Sequence, residues 1–377
     1  MRYRLTCLTP MLVGDGRKLS PIDYMVWKDQ VNVLDQRRIF RLLAKGPRLE
    51  GYLMQLKKAD KLDFASWGGF AQNFADRRLP FESPAYSAFW NRATGESLHI
   101  PTFAAGAMGP YLPGAAVKGA LRTGMLFAAL KPLVLQELAM RSKGDRPSRR
   151  PAETAEEQNL GGMRLIGVGD SAPVGYGSFK VYLLRTSTLQ PRGTGSYALG
   201  WKQSPRGTAD GRRPEDSTPT FAEMAVPGAS FEGDWMEREF FSQPEIRRAL
   251  RLSEPLDRAQ IFGAVNDFAA ALLASHREYA TRANLDLLSR QLGELEGRVA
   301  AARGSGACVL SMGWGGGLLG KSAWIDTDNQ DYRQVLRSLS LYQDTLRSGL
   351  PFPKTRRVVF TNNQPSTLPG WALLEVQ

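Results

Sequence analysis

The stretch Tyr111-Leu-Pro-Gly-Ala-Ala-Val-Lys118-Gly-Ala-Leu-Arg122-Thr123 constrains the fold of this chain more than any other, because it joins a glycine turn to a basic, amphipathic run. Pro113-Gly114 is a turn signal. After it, Val117, Ala120, Leu121, Gly124, Met125 and Ala128 recur at i, i+3, i+4, i+7, i+8 and i+11. That is the spacing of one buried helical face, so a helix is predicted from near Ala115. Lys118 falls in or beside the first turn, where the macrodipole and the unpaired N–H groups favour anions, and Arg122 follows one turn later. A cation there is mildly unfavourable alone and favourable with an anion held between it and the amides, with phosphate as the candidate. A solvated Lys/Arg pair is the plain alternative.

Composition narrows the partners. The chain has 377 residues, more than one ordinary core, so two domains are expected. Its net charge of +12 favours acidic partners, nucleic acid first. No run of about 18 apolar residues occurs, so a secreted or membrane-spanning protein is not expected. Cys7 and Cys308 stand apart in apolar stretches, with His99 and His276 the only histidines. Neither a zinc site nor a disulfide framework is expected, and the thiols suit a reducing cytoplasm.

In chain order, Tyr3, Leu5 and Cys7 alternate with Arg2, Arg4 and Thr6, a half-buried strand over 2–9. Gly14-Asp15-Gly16-Arg17-Lys18 is a glycine turn carrying two bases; a solvated turn is its alternative reading. Tyr24 to Trp27 and Val31 to Leu34 form a hairpin, 37–58 a helix, and Trp67-Gly-Gly-Phe with 80–84 an irregular insertion. Residues 139–160 lose periodicity and read as a mobile loop, basic then acidic. Strands are predicted at 163–168 and 179–185, with Asp170 in the turn between them read as an Asx-turn residue rather than a catalytic one. Residues 186–219 read as a long excursion from the fold. A strand pair follows at 221–231, then helices at 236–252, at 257–278, and over Leu285, Leu288, Leu292, Leu295 and Val299.

The C-terminal segment repeats the N-terminal logic: a strand at 308–312, a glycine loop Gly313-Trp314-Gly315-Gly316-Gly317-Leu-Leu-Gly-Lys321-Ser322, a helix at 330–347 stopped by Gly349, and two strands preceded by the bases Lys354, Arg356 and Arg357. Gly315 to Ser322 fits G-x-x-x-x-G-K-[ST] letter for letter, so a P-loop NTPase has to be weighed. A P-loop needs a helix beginning at its Lys-Ser, whereas Ala323-Trp-Ile-Asp-Thr-Asp-Asn reads as extended chain and turn. The better reading is a glycine loop whose bare backbone admits a nucleic-acid strand, with Trp314 available for stacking.

Four blocks then carry a family resemblance: Leu8-Thr-Pro-Met-Leu-Val-Gly14-Asp-Gly16 with Ser20-Pro-Ile-Asp-Tyr24, the 111–123 stretch, Met312-Gly-Trp-Gly-Gly-Gly317, and Pro353-Lys-Thr-Arg-Arg357. In this order they look like a RAMP protein and, more closely, resemble the fifth-Csm-subunit family of type III-A CRISPR effector complexes. The resemblance implies an α+β chain of two RRM-like, ferredoxin-like domains with helical and loop insertions, divided here as 1–230 and 231–377. It implies a non-catalytic, cofactor-free and metal-free subunit in the cytoplasm that binds the 3′ region of crRNA and caps the backbone filament. Its implied partners are crRNA, target RNA and other Csm-type RAMP subunits, with crRNA-maturation nucleases a further candidate and no membrane. Ala115 and Ala116 replace the hydroxyl residues usual after the Pro-Gly, which leaves the backbone to make phosphate contacts there.

An RRM sheet ordinarily reads RNA through exposed strand aromatics, and this sequence offers Tyr3 and little else. Loop-borne bases are expected to carry binding instead, in a phosphate-dominated, sequence-tolerant mode. The expected RNA-binding residues are Gly14, Gly16, Arg17, Lys18, Gly114, Lys118, Arg122, Trp314, Gly315, Gly316, Gly317, Lys321, Lys354, Arg356 and Arg357. A RAMP-type endoribonuclease acting on crRNA is the alternative; it ranks lower because neither His99 nor His276 is expected beside a basic glycine loop.

Overall fold

The alternation at the N-terminus produces the strand it predicts, Arg2–Cys7, with Tyr3, Leu5 and Cys7 buried and Arg2 and Arg4 outward. This strand is the middle of a five-stranded antiparallel sheet, in the order Cys308–Ser311, Trp371–Val376, Arg2–Cys7, Ser230–Glu237, Ile166–Ser171. Leu5 stands opposite Leu374 on one side and Phe231 on the other. The outer face is ionic, with Arg4 paired to Glu232 at 2.8 Å. Tyr3 faces the interior, 1% exposed, and donates to the Gly169 carbonyl at 3.0 Å, so it is no stacking platform. Because this sheet takes strands from both ends of the chain, a division at residue 230 does not separate one sheet from the other.

The computed structural model describes residues 1–58, 61–62, 73–129, 132–143, 163, 165–193, 196–203, 210–250 and 257–377. Trp67 and most of 139–160 lie outside these; the described start of the latter belongs to the helix Pro132–Ser142.

The second sheet is built on the 13-residue strand Phe179–Pro191. Thr355–Thr361 pairs along one side of it, while Thr220–Ala225 and then Tyr197–Lys202 pair along the other. The described part of 186–219 is therefore sheet and hairpin rather than excursion. Its strand character is hard to read because Ser187 and Thr188 are buried polar residues where an alternating apolar pattern would be expected, the Ser187 hydroxyl bonding Tyr279 at 3.0 Å. Of the bases expected just before a strand, Arg356 and Arg357 fall inside it, since that strand begins at Thr355. Pleating then buries Arg356 and leaves Arg357 half-exposed.

The central helix, Gly114–Ala129, packs against the helix Arg258–Arg282. Gly124 sits at the crossing, where a Cβ would come within 2.7 Å of the Val265 Cα. Asp257 and Gln260 close a capping box at the start of the second helix, and the following helix, Asp286–Ser305, ends on Gly306 at φ 70°. Three predicted helices are shorter or broken. The 37–58 run divides at Gly46-Pro47 into Gln36–Leu43 and Arg48–Lys58. The 330–347 run divides into Gln330–Arg337 and Ser340–Arg347, and 236–252 holds the short helix Pro244–Leu250. The expected hairpin turns at Lys28 and Asp29, both at positive φ.

Candidate nucleic-acid interface

The anion at the start of the central helix comes from the protein itself. The Asp170 carboxylate accepts from the Gly114 N–H at 2.8 Å, capping the helix from the strand Ile166–Ser171. Ser171 closes the same turn, its hydroxyl accepting from the Leu112 N–H at 2.9 Å. A Cβ on Gly114 would fall 2.3 Å from the Val168 carbonyl oxygen, so this glycine permits close helix–strand approach. Lys118 turns to the same strand and donates to the Ile166 carbonyl at 2.7 Å. Burial, with Arg238 nearby, holds its pKa below the ordinary lysine value. Where a phosphate was expected between Lys118 and the helix amides, the structure places an internal carboxylate cap and a lysine that ties helix to sheet.

A different face of the same helix borders a groove of about 480 Å³. Ala116, Gly119, Ala120 and Thr123 recur at i, i+3, i+4 and i+7 and form one wall of small residues. Gly14, Gly16, Arg17 and Lys18 form the opposite rim, and Gly313, Trp314 and Lys321 close the end. The rim is pinned to Thr102, whose N–H donates to the Arg17 carbonyl at 3.2 Å, and Lys18 pairs with Pro101 in a two-residue ladder. Gly16 takes φ 91°, a conformation that makes this turn compact. Arg17 and Lys18 are exposed, the former beside Asp15 at 3.4 Å. The glycine loop is anchored by Trp314, whose N–H donates to the Leu12 carbonyl at 2.7 Å, and Gly313 permits that approach at φ 78°.

Gly315, Gly316 and Gly317 face a second, smaller cavity of about 220 Å³ behind the loop. Arg356, Arg357 and His276 line it too. Arg357 lies over the Trp314 ring at 4.0 Å, so this cation–π pair stands between groove and cavity. Arg356 is buried and, among the described residues, meets neutral acceptors: His276 Nδ1 at 2.9 Å and the carbonyls of Pro353 and Thr355 at 2.7 and 2.9 Å. It also stacks on Tyr279, and burial brings its pKa down to about 10. His276 was not expected near a glycine loop; it is placed there by the helix Arg258–Arg282, which no local sequence signal links to residue 316. Burial, then Arg356, hold its pKa well below the ordinary histidine value.

Of the expected residues, Gly14, Gly16, Arg17, Lys18, Trp314 and Lys321 meet at the groove. Gly315, Gly316, Gly317, Arg356 and Arg357 meet at the small cavity. Gly114 and Lys118 serve the helix start, while Arg122, exposed on the central helix, and Lys354, half-exposed before its strand, line neither space. Thr102, Ser311 and the small-residue face were missed, although the Ala/Gly/Thr spacing of that face was readable in the helix. The P-loop lettering has no P-loop architecture around it: Lys321 lies in a four-residue helix, Leu319–Ser322, that ends at Ala323 in a left-handed conformation. The strand before the loop is an antiparallel edge. Among the described residues no group of three His, Cys, Asp or Glu is placed to hold a metal ion. None of their single helices is long and apolar enough to cross a membrane.

This α+β arrangement of two large sheets, three small ones and helical insertions resembles the fold of Csm chains. One, in a cryo-EM structure of a Csm–crRNA–target RNA ternary complex of a type III-A CRISPR–Cas system, matches with a TM-score of 0.64, 19% identity and full coverage of both chains. Csm5 of T. onnurineus, known from a crystal structure, matches with a TM-score of 0.55 and 18% identity over 98% of this chain and 99% of that one. No protein-family model and no curated protein matches the sequence. At these identities the likeness is one of fold, extending from end to end.

Proposed function

We propose that this chain is a non-catalytic RNA-binding subunit of a Csm-type effector complex, holding the 3′ region of crRNA at the end of the backbone filament and so assisting crRNA maturation and antiviral defence. The observation that carries the reading is the groove itself. Bases from the first 20 residues and a lysine and tryptophan from beyond residue 310 converge on one wall of small residues. A backbone-tracking site needs cationic rims, a stacking ring and close approach, and needs no base-specific donors. The end-to-end fold likeness supports the assembly we propose, with crRNA, target RNA and neighbouring Csm-type subunits as partners.

The endoribonuclease reading has one observation in its favour, the place of His276 beside the glycine loop. Its hydrogen bonding argues against proton abstraction: with Nδ1 accepting from Arg356, the neutral ring carries its proton on Nε2 and is a donor there.

The test is Gly119→Glu. A Cβ at Gly119 meets nothing within 4 Å, so the new side chain is accommodated and its carboxylate enters the groove. Replacing a helix-interior glycine should raise stability by about 0.5–1 kcal/mol. Binding to single-stranded RNA should fall about tenfold or more, because the carboxylate opposes the phosphates. A stabilised variant with undiminished RNA affinity overturns the groove as the binding site.

A further inference from the structure

The small cavity behind the glycine loop is unlike the groove in both size and chemistry. At about 220 Å³ it is smaller than the roughly 300–1,000 Å³ of sites that enclose a whole small molecule. It has space for one tetrahedral group with a few waters, at about 30 Å³ per water. Its wall holds Arg356, Arg357 and His276, the last with Nδ1 accepting from Arg356 and its proton therefore on Nε2. Thr186, Thr355 and Ser311 line it as well, and Gly315 and Gly317 turn through positive φ beside it. Among the described residues no carboxylate lines it. A guanidinium as buried as Arg356, 8% exposed, normally meets a carboxylate, and its described partners are neutral. The wall is donor-rich and cationic, and the described residues give it no counter-charge.

Its position selects the source of the missing anion. Ser311 lines both spaces, while the Trp314–Arg357 stack stands between them. A continuous strand following the groove passes outside that partition. A chain end that turns past it can place a terminal group among Arg356, Arg357 and His276.

We propose that this cavity binds the phosphomonoester at an RNA strand end, while the adjoining groove holds the strand. The inference rests on the groove reading given above and adds to it a terminal-phosphate subsite. A monoester carries more charge than an internal diester and presents three free oxygens, which suits two guanidiniums and an imidazole N–H.

The experiment compares oligoribonucleotides of one sequence carrying a 3′-phosphate, a 5′-phosphate, hydroxyl groups at both ends, or a closed circle, on the full chain. One of the phosphate-ended forms is expected to bind about tenfold tighter than the hydroxyl-ended form, and the pair of arms tells which end enters. Inorganic phosphate at fixed ionic strength should erase that preference without displacing hydroxyl-ended RNA. Thr186→Glu, half-exposed on its strand and outside the groove, places a carboxylate in the cavity. It should lose the preference and keep wild-type affinity for hydroxyl-ended RNA, while Thr186→Val, of matching shape and no charge, keeps both. Equal affinity for phosphate- and hydroxyl-ended RNA, or a preference that survives Thr186→Glu, overturns the terminal subsite and leaves the groove reading standing. Failure of every form to bind overturns the groove reading and the subsite together.

Discussion

Lys118 and His276 both stand elsewhere than the sequence suggested, and each has a measurable consequence. Lys118 looked like a phosphate ligand and instead bonds the Ile166 carbonyl at 2.7 Å. Lys118→Ala should lower stability by about 1 kcal/mol after allowance for solvent screening, and it should leave RNA affinity unchanged in a parallel titration. His276 looked remote and instead accepts from Arg356 in the small cavity. Its folded pKa is depressed well below the ordinary value, so the unfolded chain binds a proton that the folded chain does not. Stability should therefore rise with pH up to the unfolded histidine value and fall below it, by about 1.4 kcal/mol per pH unit for this one proton. His276→Asn keeps an acceptor for Arg356 and removes the titration. Thermal melts between pH 4.5 and about 7 should show a shallower acid loss in the variant, and parallel profiles would contradict the assignment.

The glycine loop shows two kinds of glycine within one element. Gly313 lies at φ 78° with a Cβ position 2.4 Å from the Leu12 carbonyl oxygen, at the point where Trp314 bonds the same carbonyl. Gly316 has only the Ser311 hydroxyl oxygen near its Cβ position, at 3.8 Å. Gly313→Ala should cost about 1–3 kcal/mol of stability, from overpacking and backbone strain. Gly316→Val should leave the melt within about 0.5 kcal/mol and lower affinity for phosphate-ended RNA while sparing hydroxyl-ended RNA, since its side chain enters the small cavity. A Gly316→Val chain that unfolds would mean that the whole loop is a structural turn. The central helix divides its work in the same way. One face is core, with Val117, Leu121, Gly124 and Met125 buried; a second, of small residues, borders the groove; and Lys118 reaches the sheet. Periodicity predicted the first face, because burial of apolar surface imposes it, except that Ala120 borders the groove and Ala128 is exposed; the i, i+3, i+4, i+7 spacing of the small residues was there to read, but nothing local pointed Lys118 to the sheet.

Over the whole molecule, strands with clear alternation and helices with an unbroken apolar stripe were legible from residues alone: Arg2–Cys7, the hairpin at Lys28-Asp29, and Arg258–Arg282. The strand Phe179–Pro191 was read only in its first half, where Val181, Tyr182, Leu183 and Leu184 are buried together. Its second half buries Ser187 and Thr188, which sequence reads as loop chemistry. The site was legible as a set of loops and illegible as an assembly, because the rim at Arg17 and Lys18 meets Trp314 and Lys321 through sheet pairing between the two ends of the chain. Local spacing carries no information about such pairing. The claim that these loops form one phosphate-binding groove is tested most directly by the salt dependence of single-stranded RNA binding, in the wild type and with Arg17, Lys18 and Lys321 all changed to alanine. The wild type should give a log–log slope of roughly −2 to −4, and the triple variant a slope flatter by about 2, at about 0.7 per phosphate neutralised. A slope unchanged by removing all three charges would contradict the groove.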